Sequence, residues 1–203
     1  MAQNFKSRLA SLSLHTRARL LKTTDIILDI GANRGLITSS LAKITRAKIV
    51  AYEPDPVPFA ELADTTKDLT NVIAYNKAVS NKNSKSRLFL HESQDQNRLA
   101  FSTGSSLCLE KNNVNHDNYI DVDCVDIVDI VSNYEVISLM KLDVEGAEVD
   151  ILYRLITSGV WKRIKKVYVE THENKMDQNY AKQLIELKYK TAQLKWNINY
   201  EWK

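Results

Sequence analysis

Short apolar runs rich in β-branched residues alternate along this chain with stretches of helical spacing, and no other feature of the sequence narrows the fold as much. Such runs are the strands of a parallel sheet buried on both faces, because the connecting helices cover those faces. Ile26 to Ile30 is the first run, and a helix is expected from about Leu36 to Thr45. Lys48 to Tyr52 is the second. Pro54, Pro56 and Pro58 cannot lie inside a strand, so they mark a loop, with Pro58 in the first turn of a helix running to about Leu69. Val72 to Tyr75 is the third strand. After a polar interruption come strand Val136 to Leu142, helix Ala147 to Thr157 ended by Gly159, strand Lys166 to Glu170 and helix Met176 to Lys188. Two short alternating stretches in Thr191 to Lys203 read as a closing antiparallel hairpin. The class is α/β: a doubly wound, mostly parallel sheet with helices on both faces and a C-terminal antiparallel hairpin.

Residues 25–203 read as one domain, with room for a sizeable core at 44% hydrophobic residues. Residues 1–24 read as an N-terminal amphipathic helical segment docked on it, since they lack the unbroken apolar core of a secretory signal. Residues 80–121 are polar and Asn/Ser-rich, an inserted loop region on the substrate side with one short strand at Arg87 to His91. No stretch stays apolar for the roughly 18 residues of a membrane span. Cys108 and Cys124 read as reduced thiols of a cytoplasmic protein, without metal-ligand spacing. Charge is uneven. Residues 1–24 and residues 160–203 each carry a net +5, against +3 for the whole chain, so the middle is acidic. That asymmetry reads as solvated helix faces before it reads as a nucleic-acid surface.

The residues at the ends of the first strands carry the first functional signal. Leu28-Asp29-Ile30-Gly31-Ala32-Asn33-Arg34-Gly35 sits where a strand turns into a helix. Gly31 allows a tight turn and close approach of a ligand, and Gly35 lets the helix pack near the strand. Free N–H groups are expected at that helix start, and Asp29 can hold a cationic amine. The spacing is G-x-x-x-G with Asn33 between, which disfavours the diphosphate cradle of G-x-G-x-x-G. Glu53 ends the second strand, 22 residues after Gly31, where a carboxylate can accept both hydrogen bonds of a ribose diol. Asn76 and the loop Lys77-Ala78-Val79, just past the third strand, can contact an adenine ring.

The chain resembles the FkbM family of methyltransferases. The matching pieces are LDIGANRG at 28–35, AYEPDP at 51–56, NKAVS at 76–80, TGSSL at 103–107, VDCVDI at 122–127, LMKLDVEGAEVDIL at 139–152 and YVETHE at 168–173, in the family order. The resemblance implies a Rossmann-like methyltransferase domain that uses S-adenosylmethionine. It also implies methyl transfer to an oxygen, most often a hydroxyl of a sugar, glycan or other small metabolite. Ser105 and Ser106 enter as contact residues because the match includes them.

Methyl transfer from a sulfonium requires alignment of acceptor oxygen, methyl carbon and sulfur, and a place for the acceptor's proton. Asp143 and Glu145 follow the fourth strand, and Glu170 ends the next, with His172 just beyond. In one reading Asp143, Glu170 and His172 hold a divalent metal such as magnesium that grips the acceptor oxygen. In the other, His172 or Asp143 is the general base without metal. Glu148 reads as a helix cap, and Lys141 as support inside its strand. His15, His91 and His116 read as ordinary surface or packing residues. Asp29→Ala and Glu53→Ala are expected to lose the cofactor and keep the fold, and Asp143→Ala to lose turnover alone. An RNA ribose methyltransferase and an inactive cofactor-binding partner subunit are the alternatives. The sequence leaves oligomeric state open.

Overall fold

The computed structural model describes residues 13–92, 102–108 and 111–202, so half of the expected N-terminal segment and part of the inserted region lie outside the described residues. Residues 13–19 are helical (α1). The main sheet is built from β1 (Ile26–Ile30), β2 (Lys48–Tyr52), β3 (Val72–Tyr75), β7 (Leu139–Leu142), β8 (Val167–Val169) and β9 (Ile198–Asn199) in the order β3-β2-β1-β7-β8-β9. Every neighbouring pair is parallel. The chain winds outward from β1 through β2 to β3, then returns to the other side of β1 with β7. That reversal puts the switch point at the carboxyl ends of β1 and β7, where such sheets bind ligands.

Alternate strand residues divide between two cores, as a period of two requires. Leu28, Ile30, Val50, Met140, Leu142, Val167 and Val169 pack under α4 (Ile127–Ser132), α5 (Glu148–Ser158) and α6 (Gln178–Gln193). Ile27, Ile49, Leu139 and Tyr168 face the opposite core, with Leu41 and Ala42 of α2 (Leu36–Ala42), Leu14 and Ala18 of α1, and Trp202. Ser13 ties α1 to the sheet through a 3.1 Å hydrogen bond with the Tyr168 hydroxyl.

Three helix starts follow aspartate caps. Asp55 accepts from the Val57 amide and opens α3 (Pro56–Thr66), with Pro56 and, as expected, Pro58 in the first turn. Asp126 and Asp177 cap α4 and α6 in the same way.

Two expectations are corrected. The polar region is not a loop with one short strand. Its described residues form a second sheet, with β6 (Val114–Asp126) between β4 (Ala78–Ser80) and β5 (Ser84–His91). Val122 and Cys124 of β6 point inward against Ala78, Leu88 and Leu90, while Asp121 and Asp123 point out, so one wet face made the strand read as polar. Nor is there a C-terminal antiparallel hairpin. α6 buries Tyr180, Leu184, Leu187 and Thr191 along one stripe and runs to Gln193, and β9 then adds in parallel to β8. Among the described residues no helix is long and apolar enough to cross a membrane.

Candidate active site

The turn after β1 is closed by its own backbone. The amides of Gly31 and Ala32 both donate to the Tyr52 carbonyl, Asn33 N donates to Glu53 Oε2 at 2.8 Å, Arg34 N to Asn33 Oδ1, and Gly35 N to the Ala32 carbonyl. No amide from 31 to 35 is left for a ligand, so the free N–H groups expected at this helix start are those of the first turn of α2, from Leu36 on. The glycines serve packing. A Cβ on Gly31, at φ +79°, would lie 1.7 Å from the Asp143 carbonyl oxygen. One on Gly35 would lie 2.6 Å from Leu62 of α3, so this glycine admits α3 rather than the strand.

A partly open cavity lies above this turn. Gly31, Asn33 and Glu53 line one side, and Asp143, Val144 and Glu145 another. Tyr52, Pro54, Ala78, Val79, Leu88 and Leu107 give flat apolar walls, and Ser102 and Ser105 add hydroxyls. Glu53 is 6% exposed. Burial raises its carboxyl to about 7, against the pull of the Asp55 and Asn33 amides it accepts from. Asn33 and Glu145 both line the cavity with left-handed backbone, φ 49° and 56°, a conformation that costs energy and so marks a constrained site.

The other expected residues surround the cavity without lining it. Asp29 is fully buried beneath the floor, accepting from the Thr38 hydroxyl at 2.6 Å and facing the Lys141 ammonium at 3.3 Å. Its cationic partner is thus within the chain. Lys141 also reaches Asp143 at 3.4 Å and donates to the Gly31 carbonyl. Asn76 is exposed and does not line the cavity, and its amide donates to the Glu53 and Pro54 carbonyls. Glu170 follows β8, and burial, then the Asp143 charge, raises its carboxyl to about 7. Ser106 donates to the Glu145 carbonyl.

His172 is 4% exposed and wedged between carboxylates. Its Nδ1 hydrogen bonds Glu148 at 2.9 Å, and its Nε2 lies 3.2 Å from Glu145 and 3.9 Å from Asp143. Burial lowers the imidazole's proton affinity, but Glu145 and Glu148 outweigh it and raise the group to about 10. Glu145 falls in turn to about 2, the pull of His172 and Lys111 exceeding the effect of burial. The flanking carboxylates thus favour the imidazolium form of His172.

The same geometry tests the metal reading. Ligand atoms of Asp143, Glu148 and His172 lie within 4.8 Å of one another. A metal needs a neutral histidine and open carboxylate lone pairs. Here Glu148 already accepts from the Val144 and Gly146 amides, His172 and the Tyr180 hydroxyl. Three lysines, 111, 141 and 175, supply the positive charge that the rim carboxylates need. The group that the geometry gathers thus has Glu148 where the sequence reading had Glu170, and the bonds Glu148 already accepts leave it little capacity for a divalent ion.

Lys111 and Tyr52 were missed, and Glu148, read as a helix cap, does accept from the Gly146 amide at the start of α5 but also holds His172. Glu148 had a readable signal: it falls on the helical face of Ile151, Leu152 and Leu155, where a carboxylate must be buried and bonded. Lys111 stands in a polar run and had none.

Comparisons with known proteins identify the family. The methyltransferase FkbM domain matches residues 29–192. The chain belongs to that family, and the class its fold and site define is a methyltransferase. It is similar to Methyltransferase 1 of Beauveria bassiana (strain ARSEF 2860), 27% identical over 176 residues, or 80% of this chain and 70% of that one. Among solved structures, Pyrococcus horikoshii TYW2 in complex with MeSAdo is 26% identical over 31% of this chain and 25% of its own, with a TM-score of 0.29. A putative rRNA-methylase from Clostridium thermocellum is 11% identical over 87% of this chain and 77% of its own, with a TM-score of 0.45. S-adenosylmethionine, the donor that family membership brings, suits the cavity chemically. Glu53 can accept from a diol, apolar walls suit a purine, and Asp143 and Glu145 complement a sulfonium and an ammonium.

Proposed function

We propose that this protein, in the cytoplasm, transfers the methyl group of S-adenosylmethionine to a hydroxyl oxygen of a sugar, glycan or other small metabolite. The observation that carries the reading is the convergence of Glu53 and of Asp143 with Glu145 on one cavity at the sheet's switch point. Bound there, the donor supplies an electrophilic methyl carbon. Glu53 and the apolar walls hold the nucleoside, and the turn at Gly31 sets the floor. Glu145, kept ionised by His172 and Lys111, holds positive charge at the rim. With His172 protonated, Glu170 and Asp143 are the groups that can receive the acceptor's proton. Their mutual repulsion and burial keep that pair basic enough near neutral pH. Two cysteines that stay free thiols suit a reducing compartment.

Calorimetric titration of the full chain with S-adenosylmethionine and with NAD, with and without magnesium, tests the donor. Tight binding of the former alone, unchanged by magnesium, is expected, and binding of NAD instead overturns the reading. Radiolabelled methyl transfer to a panel of sugars, small hydroxylated metabolites and RNA then tests the acceptor, and label in RNA alone overturns the small-molecule assignment.

A further inference from the structure

The residues from Ser102 to Cys108 belong to neither end of the main sheet, yet Ser102, Ser105 and Leu107 form a wall of the cavity. Gly104 packs so closely on the His91 ring that a Cβ there would lie 2.2 Å from it. Side chains fasten this wall to both halves of the site. Ser102 pairs with the Asn33 side chain at 3.1 Å. Ser106 donates to the Glu145 carbonyl at 2.6 Å. Lys111 donates to the Gly104 carbonyl and to Glu145 Oε2, each at 2.6 Å.

Lys111 is the unusual member. It is 1% exposed, and lysine is almost never buried so completely unless paired. Removing an ammonium from water costs several kcal/mol, and burial accordingly pushes its pKa down while Glu145 opposes the shift. That cost is met by two acceptors of different origin, one on the wall and one on the rim. Lys111 does not itself line the cavity.

We propose that Lys111 is a positioning residue: by bridging the Gly104 carbonyl and the Glu145 carboxylate, it locks the 102–108 wall to the strand-end rim and aims Glu145 into the cofactor cavity. Donor affinity then depends on a side chain that never touches the donor. The inference rests on reading this cavity as the S-adenosylmethionine site. Glu145 keeps His172 and Lys175 as partners when Lys111 is removed, so the effect is local.

The test is titration of the full chain with S-adenosylhomocysteine in four forms: parent, Lys111→Met, Glu145→Gln and the double variant, with circular dichroism to verify folding. Loss of a charge-assisted hydrogen bond corresponds to about ten- to a hundredfold, and Lys111→Met is expected to weaken binding by that amount. In the Glu145→Gln background the same substitution should add little, because both act through one contact. If the methionine variant does not fold, Lys111→Gln carries the same comparison. A folded Lys111 variant that binds like the parent overturns the proposal, as does a full and additive loss in the Glu145→Gln background. A folded parent that binds no S-adenosylhomocysteine overturns instead the reading of the cavity on which the proposal rests.

Discussion

Asp29 and Lys141 face each other across the β1–β7 pair, carboxylate and ammonium 3.3 Å apart under the floor of the site. Both are almost completely buried, and Lys141 also spans to Asp143 and lies 5.3 Å above the centre of the Trp202 ring. Removing one member of a buried pair costs about 3–5 kcal/mol when the survivor is left uncompensated, and Asp143 and the Gly31 carbonyl, still beside Lys141, put this loss at the lower end. Asp29→Ala should therefore lower stability by that order, read as a shift of the urea midpoint. The outcome expected from the sequence, an intact fold without cofactor, is replaced. An unchanged midpoint would show that Lys141 finds another partner.

The glycines separate packing from backbone conformation. Gly31→Ala forces a methyl group onto the Asp143 carbonyl, 1.7 Å away, and should yield no folded protein. Gly159 has a similar φ of +79° but nothing within 4 Å of an added Cβ. Gly159→Ala should cost only the left-handed conformation, about 1–2 kcal/mol by thermal melting.

Glu53 ionises at about 7, and a ribose diol bonds best to the charged form. Affinity for S-adenosylhomocysteine should weaken as pH falls through that value, and Glu53→Gln should bind weakly without that dependence. Equal affinity in Glu53→Gln would misplace the ribose.

His172 carries a stability signature of its own. Its value rises from 6.5 to about 10 on folding, so its contribution is complete below 6.5 and is lost as pH climbs through about 10. The melting temperature should decline across that window more steeply in the parent than in His172→Gln. Parallel curves would mean that the imidazole is neutral in the fold.

Turnover should rise with pH through about 7 as Glu170, coupled to Asp143, loses its proton. Glu170→Gln should abolish that rise, and Asp143→Asn should lose turnover while still binding S-adenosylhomocysteine. A parent profile flat between pH 6 and pH 8 would take the proton elsewhere.

The first three strands were legible to the residue: β1 and β2 are runs buried on both faces, and β3, at the sheet edge, is a β-branched apolar run that alternates half-buried and exposed residues. β6 was not, since Asp117, Asp121 and Asp123 on its wet side interrupt any apolar run. α4 was too short, at six residues, to display a helical period. In the site, Gly31, Asn33, Glu53, Asp143 and Glu145 could be read from their places at strand ends, and the cavity gathers them. Partners could not. That Asp29 would meet Lys141, or His172 meet Glu148, depends on strand order and on which face each side chain takes, and both emerge only in three dimensions.

The turn from Gly31 to Gly35 spends every amide on the protein itself. Its shape is thus decided when the domain folds, not when a ligand arrives, and little conformational entropy remains to be lost on encounter. Recognition at this floor is of the lock-and-key kind. Its amides should exchange with solvent slowly even in the empty protein, on the timescale of the whole domain's opening.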